Sequence, residues 1–171
     1  MDHVATVLGA VYPDGKDAFL FARERLPLEY LNFNPLVQKL WEFTGKFVDK
    51  FGVMPTTKVM KDFMQHTEDA GTANLMLQIY AGAVNASVNV GEFKYSVDCL
   101  VDNAQKQQTG EIFATAFEIL ERGYSVDGER LEGHTSAREY LTGRISSMEK
   151  EFLRAETPEG NVADEVDEIL A

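Results

Sequence analysis

The chain has a single cysteine, Cys99, so an internal disulfide is excluded and the thiol falls in a helical apolar pattern that predicts packing. Only five of its 171 residues are proline, and they sit where helices would start or stop. No stretch approaches the roughly 18 apolar residues of a membrane span. The first residues carry neither a basic cluster nor a long apolar run, so no signal peptide is expected. Positive charge is the scarcest commodity. Sixteen lysines and arginines face 28 acids, a net charge of −12. Nucleic-acid binders gain affinity by releasing phosphate counterions with clustered basic residues. Scattered bases on an acidic chain therefore predict weak or no DNA binding by this chain alone, and a solvated acidic surface. Together these absences predict a soluble protein of a reducing compartment.

Catalytic signatures are missing as well. There is no GxxxxGK[ST] to cradle a nucleotide phosphate, and no HExxH or CxxC. His3, His66 and His134 are far apart with no carboxylate at ligand spacing, so they read as surface or loop residues. Asp98 and Asp102 stand four apart, as paired carboxylates would in a diiron bundle. The facing Glu-x-x-His that such a site needs is absent, and a solvated helix face accounts for them. Ser125 and Ser136 lack an activating histidine, and Ser136, three before Glu139, fits a capping box. The chain by itself is expected to have no catalytic residue, no metal and no cofactor.

What is present is helical periodicity. Hydrophobic residues make up 44% and charged residues 26%, ordinary values for a packed domain. Val4 to Val11 predicts a short apolar helix closed by the turn Tyr12-Pro13-Asp14-Gly15. Asp17 to Arg25 predicts a second, ended by Pro27. Asn34-Pro35 is a helix start, an N-cap followed by proline at the first position, and Gly52 a stop. Between them Leu36, Leu40, Phe43, Phe47 and Phe51 recur at helical spacing beside Val37, Trp41 and Val48. Thr56 or Thr57 caps a helix carrying Val59, Met60, Phe63 and Met64. Ala73 to Ala86 follows with Leu75, Leu77, Ile79, Tyr80 and Val84.

The longest element is predicted over Glu92 to about Glu121, with the stripe Phe93, Val97, Leu100, Val101, Ala104, Ile112, Phe113, Ala116, Phe117 and Leu120. The stripe turns polar at Lys106 to Gly110, where either the helix kinks or that turn leaves the core. Gly123 to Gly133 reads as a charged, glycine-rich loop. The helix after it carries Leu141, Ile145, Met148 and Phe152. Two long helices joined by such a loop fold back as an antiparallel hairpin. The fold class is all-α. A small helical bundle over 1–90 precedes a long antiparallel helical hairpin over 91–155, and an acidic linker segment over 156–171 starts a further helix. No internal repeat or low-complexity tract interrupts this order.

Apolar residues of a projecting hairpin that lie beyond the seam stay exposed unless another protomer covers them. Leu100, Phe113, Phe117, Leu120, Leu141, Ile145, Met148 and Phe152 are therefore the expected self-association set. The last segment places Val162, Val166, Ile169 and Leu170 on one helical face and Asp164, Glu165, Asp167 and Glu168 on the other, with no base after Arg154. Burying four aliphatic side chains about offsets the entropy of ordering some ten residues, so this segment needs a docking partner to fold.

The opening Val7-Leu8-Gly9-Ala10 with its acidic turn at Asp14 resembles the N-terminal domain of DnaB-type replicative helicases. So do Leu28-Glu29-Tyr30-Leu31, Leu40-Trp41-Glu42-Phe43, the stretch FGVMPTTKVMKDFM, and the acidic Asp-Glu-Val-Asp-Glu-Ile-Leu end. The pattern is closer to phage-encoded variants, and departs from cellular members at Val4 and at Asn34-Pro35. The resemblance implies the non-catalytic N-terminal collar domain of a hexameric 5′-to-3′ DNA helicase acting in DNA replication. It implies hairpins that pair into dimers and three dimers that close a ring. A linker helix, here Val162, Val166, Ile169 and Leu170, would dock on the ATPase domain of a neighbouring subunit. Primase or a helicase loader is the further partner it implies, and ATP with Mg belongs only to the missing ATPase domain. It places the protein in the cytoplasm of a bacterial or phage-infected cell. A stand-alone helical replication accessory protein or helicase-loader adaptor is the alternative the same residues leave open, and a small helical enzyme with an unrecognised site is a third.

Overall fold

The computed structural model describes the backbone of residues 2–26, 34–67 and 69–156, and the side chains within those ranges up to 150, Thr67 excepted. The fold is all-α, with seven helices and one two-stranded sheet among the described residues. In order they are α1 (His3–Val11), α2 (Lys16–Arg25), α3 (Pro35–Phe51), α4 (Thr57–Thr67), α5 (Ala70–Val84) and α6 (Val90–Glu121), then β1 (Tyr124–Val126), β2 (Glu129–Leu131) and α7 (Gly133–Glu156). Val162, Val166, Ile169 and Leu170 lie outside the described residues, as does Leu28-Glu29-Tyr30-Leu31.

Helix ends follow local chemistry. The Asn34 side chain accepts from the amides of Leu36 and Val37, Pro35 occupies the first turn, and Gly52 closes α3 at φ 71°. Thr56 Oγ1 accepts from Val59 N at 3.4 Å ahead of α4. Three further caps went unread in the sequence. Asp2 accepts from Ala5 N, and Asp69 accepts from Gly71 N, Thr72 N and the Thr72 hydroxyl. Asn89 and Glu92 cap α6 reciprocally, Glu92 N donating to Asn89 Oδ1 at 2.9 Å and Asn89 N to Glu92 Oε2 at 3.3 Å.

Contacts divide the chain into two compact units that part between Val101 and Asp102, inside α6 rather than at its start. The reason is burial: Phe93 and Val97, in the first turns of α6, are core residues of the first unit. In that unit α5 packs against α1, α3 and α4, and α1 against α2. The core includes Val7, Val11, Phe19, Leu40, Trp41, Met60, Met64, Met76 and Tyr80. Gly9 is required where α1 meets the segment after α5, because a Cβ there would lie 2.7 Å from Ala86 Cβ. A buried polar chain crosses this core. Tyr12 Oη lies 3.1 Å from Thr44 Oγ1, which donates to Leu40 O at 2.8 Å. The Tyr12 ring meets Tyr80 edge-on at 5.2 Å.

In the second unit α6 is continuous through Lys106 to Gly110. α7 returns antiparallel beside it, with Thr109 Oγ1 3.7 Å from Met148 Sδ. The expected loop between them is a β-hairpin. Tyr124 pairs with Leu131, Ser125 with Arg130 and Val126 with Glu129. Its tip is Asp127-Gly128, with φ 50° and 84°, the two positive values that a tight primed turn demands. Ser136 does not cap α7, which begins earlier, at Gly133; it sits inside the first turns, half-buried.

Candidate interaction surface

Several of the titratable side chains singled out in the sequence make structural contacts. His3 Nδ1 lies 3.2 Å from the hydroxyl of fully buried Ser96, and its ring meets Tyr95 edge-on at 5.8 Å. His66 Nδ1 donates to Asp62 O at 2.8 Å within α4, and His134 is exposed. Asp98 pairs with Arg25 at 3.0 Å. Asp102 pairs with Lys106 one turn on. Cys99 is half-buried, and the Tyr95 hydroxyl donates to its sulfur, which raises that phenol above its ordinary value. Among the described residues no group of three histidine, cysteine, aspartate or glutamate side chains is placed to hold a metal.

The informative surface lies on the second half of α6. The single stripe expected from Ile112 to Leu120 divides into two. Ile112, Ala116 and Ile119, four and three apart, are buried in the second unit. Phe113, Phe117 and Leu120, each one position further along, are 52%, 62% and 45% exposed. One residue on an α-helix is a rotation of about 100°, so the two stripes face different directions. The inner one is buried in its own unit, and the outer one stands about half exposed among the described residues. Tyr124, 47% exposed at the foot of β1, follows Leu120 by four.

The other members of the expected set fall elsewhere. Leu100 is partly buried against the core of the first unit and is not on this face. Leu141, Ile145 and Met148 are half-buried on α7, and Met148 contacts Thr109. Phe152 belongs to α7 by its backbone, with its side chain outside the described set. Ile119 was missed by sequence reasoning. Its signal was present, three after Ala116 and seven after Ile112, but the larger phenylalanines drew the stripe one position round.

Arg130 Nη2 donates to Arg122 O at 3.1 Å, meeting a carbonyl at the end of α6 that the helix leaves unpaired. Glu111 accepts from Gln107 at 3.0 Å on a different side of α6, well round the helix from Phe113. An exposed apolar strip of this kind is the anatomy of a protein-protein contact. Comparison with protein-family models, with curated proteins and with solved structures found no match.

Proposed function

We propose that this chain is a non-catalytic oligomerisation and partner-docking domain, the collar of a hexameric replicative DNA helicase. The observation that carries the self-association is the exposed Phe113-Phe117-Leu120 stripe lying beside a separately satisfied inner stripe on α6. A helix that needed only to close its own hairpin would carry the inner stripe alone. Covering the exposed half of each outer side chain returns roughly 1 kcal/mol apiece. A two-fold interface counts each residue twice, so a dimer through this face is the basic unit. The helicase identity is supported by the resemblance of Val7-Leu8-Gly9-Ala10, Leu40-Trp41-Glu42-Phe43 and the Phe51–Met64 stretch to DnaB-type N-terminal domains. In that reading the segment with Val162, Val166, Ile169 and Leu170 reaches the ATPase domain of a neighbouring subunit, and primase or a loader docks on the assembled collar. ATP and Mg are then used only by a further domain, and this chain neither hydrolyses ATP nor unwinds DNA.

The test has two arms. Light scattering of the chain at high micromolar concentration is expected to give at least twice the 19.1 kDa chain mass. Phe113→Glu with Phe117→Glu is expected to return it to monomer with an unchanged helical circular-dichroism spectrum. A wild-type chain that stays at the monomer mass overturns the self-association. A coding sequence continued downstream into a GxxxxGK[ST] motif supports the helicase reading, and an immediate stop codon overturns it.

A further inference from the structure

A second surface, on the first unit, combines the chain's scarce positive charge with exposed apolar groups. Lys39, Lys46 and Lys50 stand exposed on α3, seven and four residues apart, and therefore share a face. Next to them Phe43, Phe47 and Phe51 recur every four residues, with ring centroids 6.1 and 4.6 Å apart. The inner end of this ladder is anchored, since Phe43 stacks on Phe63 of α4 at 3.9 Å. The outer end is exposed, Phe51 by 55% and Val53 by 57%, with Lys50 Nζ 5.1 Å from the Phe51 ring centroid. Lys58 and Lys61 are exposed on α4. Between 39 and 61 the sequence has five lysines and two acids, in a chain of net charge −12. One of those acids, Asp49, is already held by Arg23 through two hydrogen bonds of 2.6 and 2.8 Å.

Ordinary solvation explains single lysines, and Lys50 in the last turn of α3 offsets the negative end of the helix dipole. The Lys50 ammonium over the Phe51 ring is a local contact as well, but none of these accounts for Lys39, Lys46, Lys58 and Lys61 gathered beside an exposed Phe51-Val53 step. That combination complements a helix with an aliphatic stripe flanked by carboxylates. The same chain carries such a sequence, with Val162, Val166, Ile169 and Leu170 beside Asp164, Glu165, Asp167 and Glu168. The close packing of the phenylalanine rings on one another leaves no slots for nucleobases and favours an aliphatic partner over single-stranded nucleic acid.

We propose that the Lys46-Lys50-Phe51-Val53 face docks the chain's own acidic amphipathic segment, Asn161–Ala171. The aliphatic stripe covers Phe51 and Val53, and the carboxylates meet Lys46 and Lys50. Docking supplies the partner that so short a helix needs in order to form. The inference stands apart from the helicase reading, because it requires no further domain. In a longer protein, a neighbouring ATPase domain and this face would compete for one stripe.

A fluorescent peptide spanning 157–171 tests it by anisotropy. The host is the full chain carrying Val166→Asp and Leu170→Asp, so that its own segment does not compete. Saturable binding is expected at low salt, weakened at least about tenfold by Lys46→Glu with Lys50→Glu. Comparable weakening is expected near 1 M salt, where the Debye length is about 3 Å. The unaltered chain should bind the peptide more weakly than the host, because its own segment occupies the face. Circular dichroism of each variant checks that exposed-site changes leave the helices intact. No binding with peptide at about 1 mM, or binding indifferent to the two lysines, overturns the proposal. So does an oligothymidylate that displaces the peptide and binds the face more tightly.

Discussion

Thr44 shows how one polar atom organises the first unit. It is fully buried, gives its hydrogen to Leu40 O one turn back, and leaves a lone pair for the Tyr12 hydroxyl. Burial raises the Tyr12 phenol far above its ordinary value, so the group remains a neutral donor throughout the accessible pH range. Thr44→Val strands that hydroxyl in the core and is expected to cost about 1–3 kcal/mol in urea unfolding. Adding Tyr12→Phe should recover much of the loss, because both partners are then apolar. Strict additivity of the two changes would contradict the pairing.

Asp69, the cap of α5, makes a pH prediction at the same scale. Its hydrogen bond from the Thr72 hydroxyl, helped by the Thr72 and Gly71 amides, holds its carboxyl below the ordinary 3.8. A depressed folded value means stability that is present above the unfolded value and lost as pH falls through the folded one. Asp69→Ala should therefore lower the thermal midpoint at neutral pH, and its gap from wild type should narrow below about pH 4. A gap that is constant from pH 7 down to 2 would show that the charge contributes nothing to the cap.

At the scale of elements, α6 carries the clearest contrast. Ile119 is fully buried and Phe117 is 62% exposed, two positions apart on the same helix. Ile119→Ala is expected to destabilise the chain by about 2–5 kcal/mol, the cost of a core cavity. Phe117→Ala is expected to change monomer stability by about 0.5 kcal/mol or less, while weakening self-association. Equal losses of stability from both would place the outer stripe inside the fold. The same helix shows how far elements were legible. Its length and its start near Glu92 followed from the periodic pattern, yet the apolar residues of two faces merged into one stripe. A list of positions does not say how wide a face a partner covers. The connection to α7 was missed for another reason. Asp127-Gly128 is a strong hairpin signal, but the flanking three-residue strands carry Ser125, Glu129 and Arg130 and lack a sustained alternation.

For the molecule as a whole, the described residues hold two compact units, and among them no helix is long and apolar enough to cross a membrane. Each unit presents a surface of its own, aromatic on α6 and basic-aromatic on α3. Lysines gathered on α3 and α4 are too few to override 28 acids. Binding of single-stranded DNA is expected to be weaker than micromolar at physiological salt, and ATP turnover absent. Sub-micromolar DNA affinity in anisotropy, or phosphate release from ATP by a clean preparation, would contradict the proposed function directly.

The sequence by itself determined the helices and most of their ends. Asn34, Pro35 and Gly52 act on amides and carbonyls within about one turn, so their effect is complete before any tertiary contact forms. It determined the helical class too, since apolar residues at three- and four-residue spacing can be buried together only on helices. How far burial extends round each helix was decided by the tertiary structure. Phe51, Leu75 and Phe117 stayed exposed although they lie in apolar patterns, while the polar Thr44 and Ser96 went fully inside. Burial depends on what the neighbouring helix presents, and that neighbour is set by long-range packing. The position of the unit boundary inside α6 has the same origin. Phe93 and Val97 are claimed by helices far back in the chain, and no local pattern marks the residue at which their reach ends.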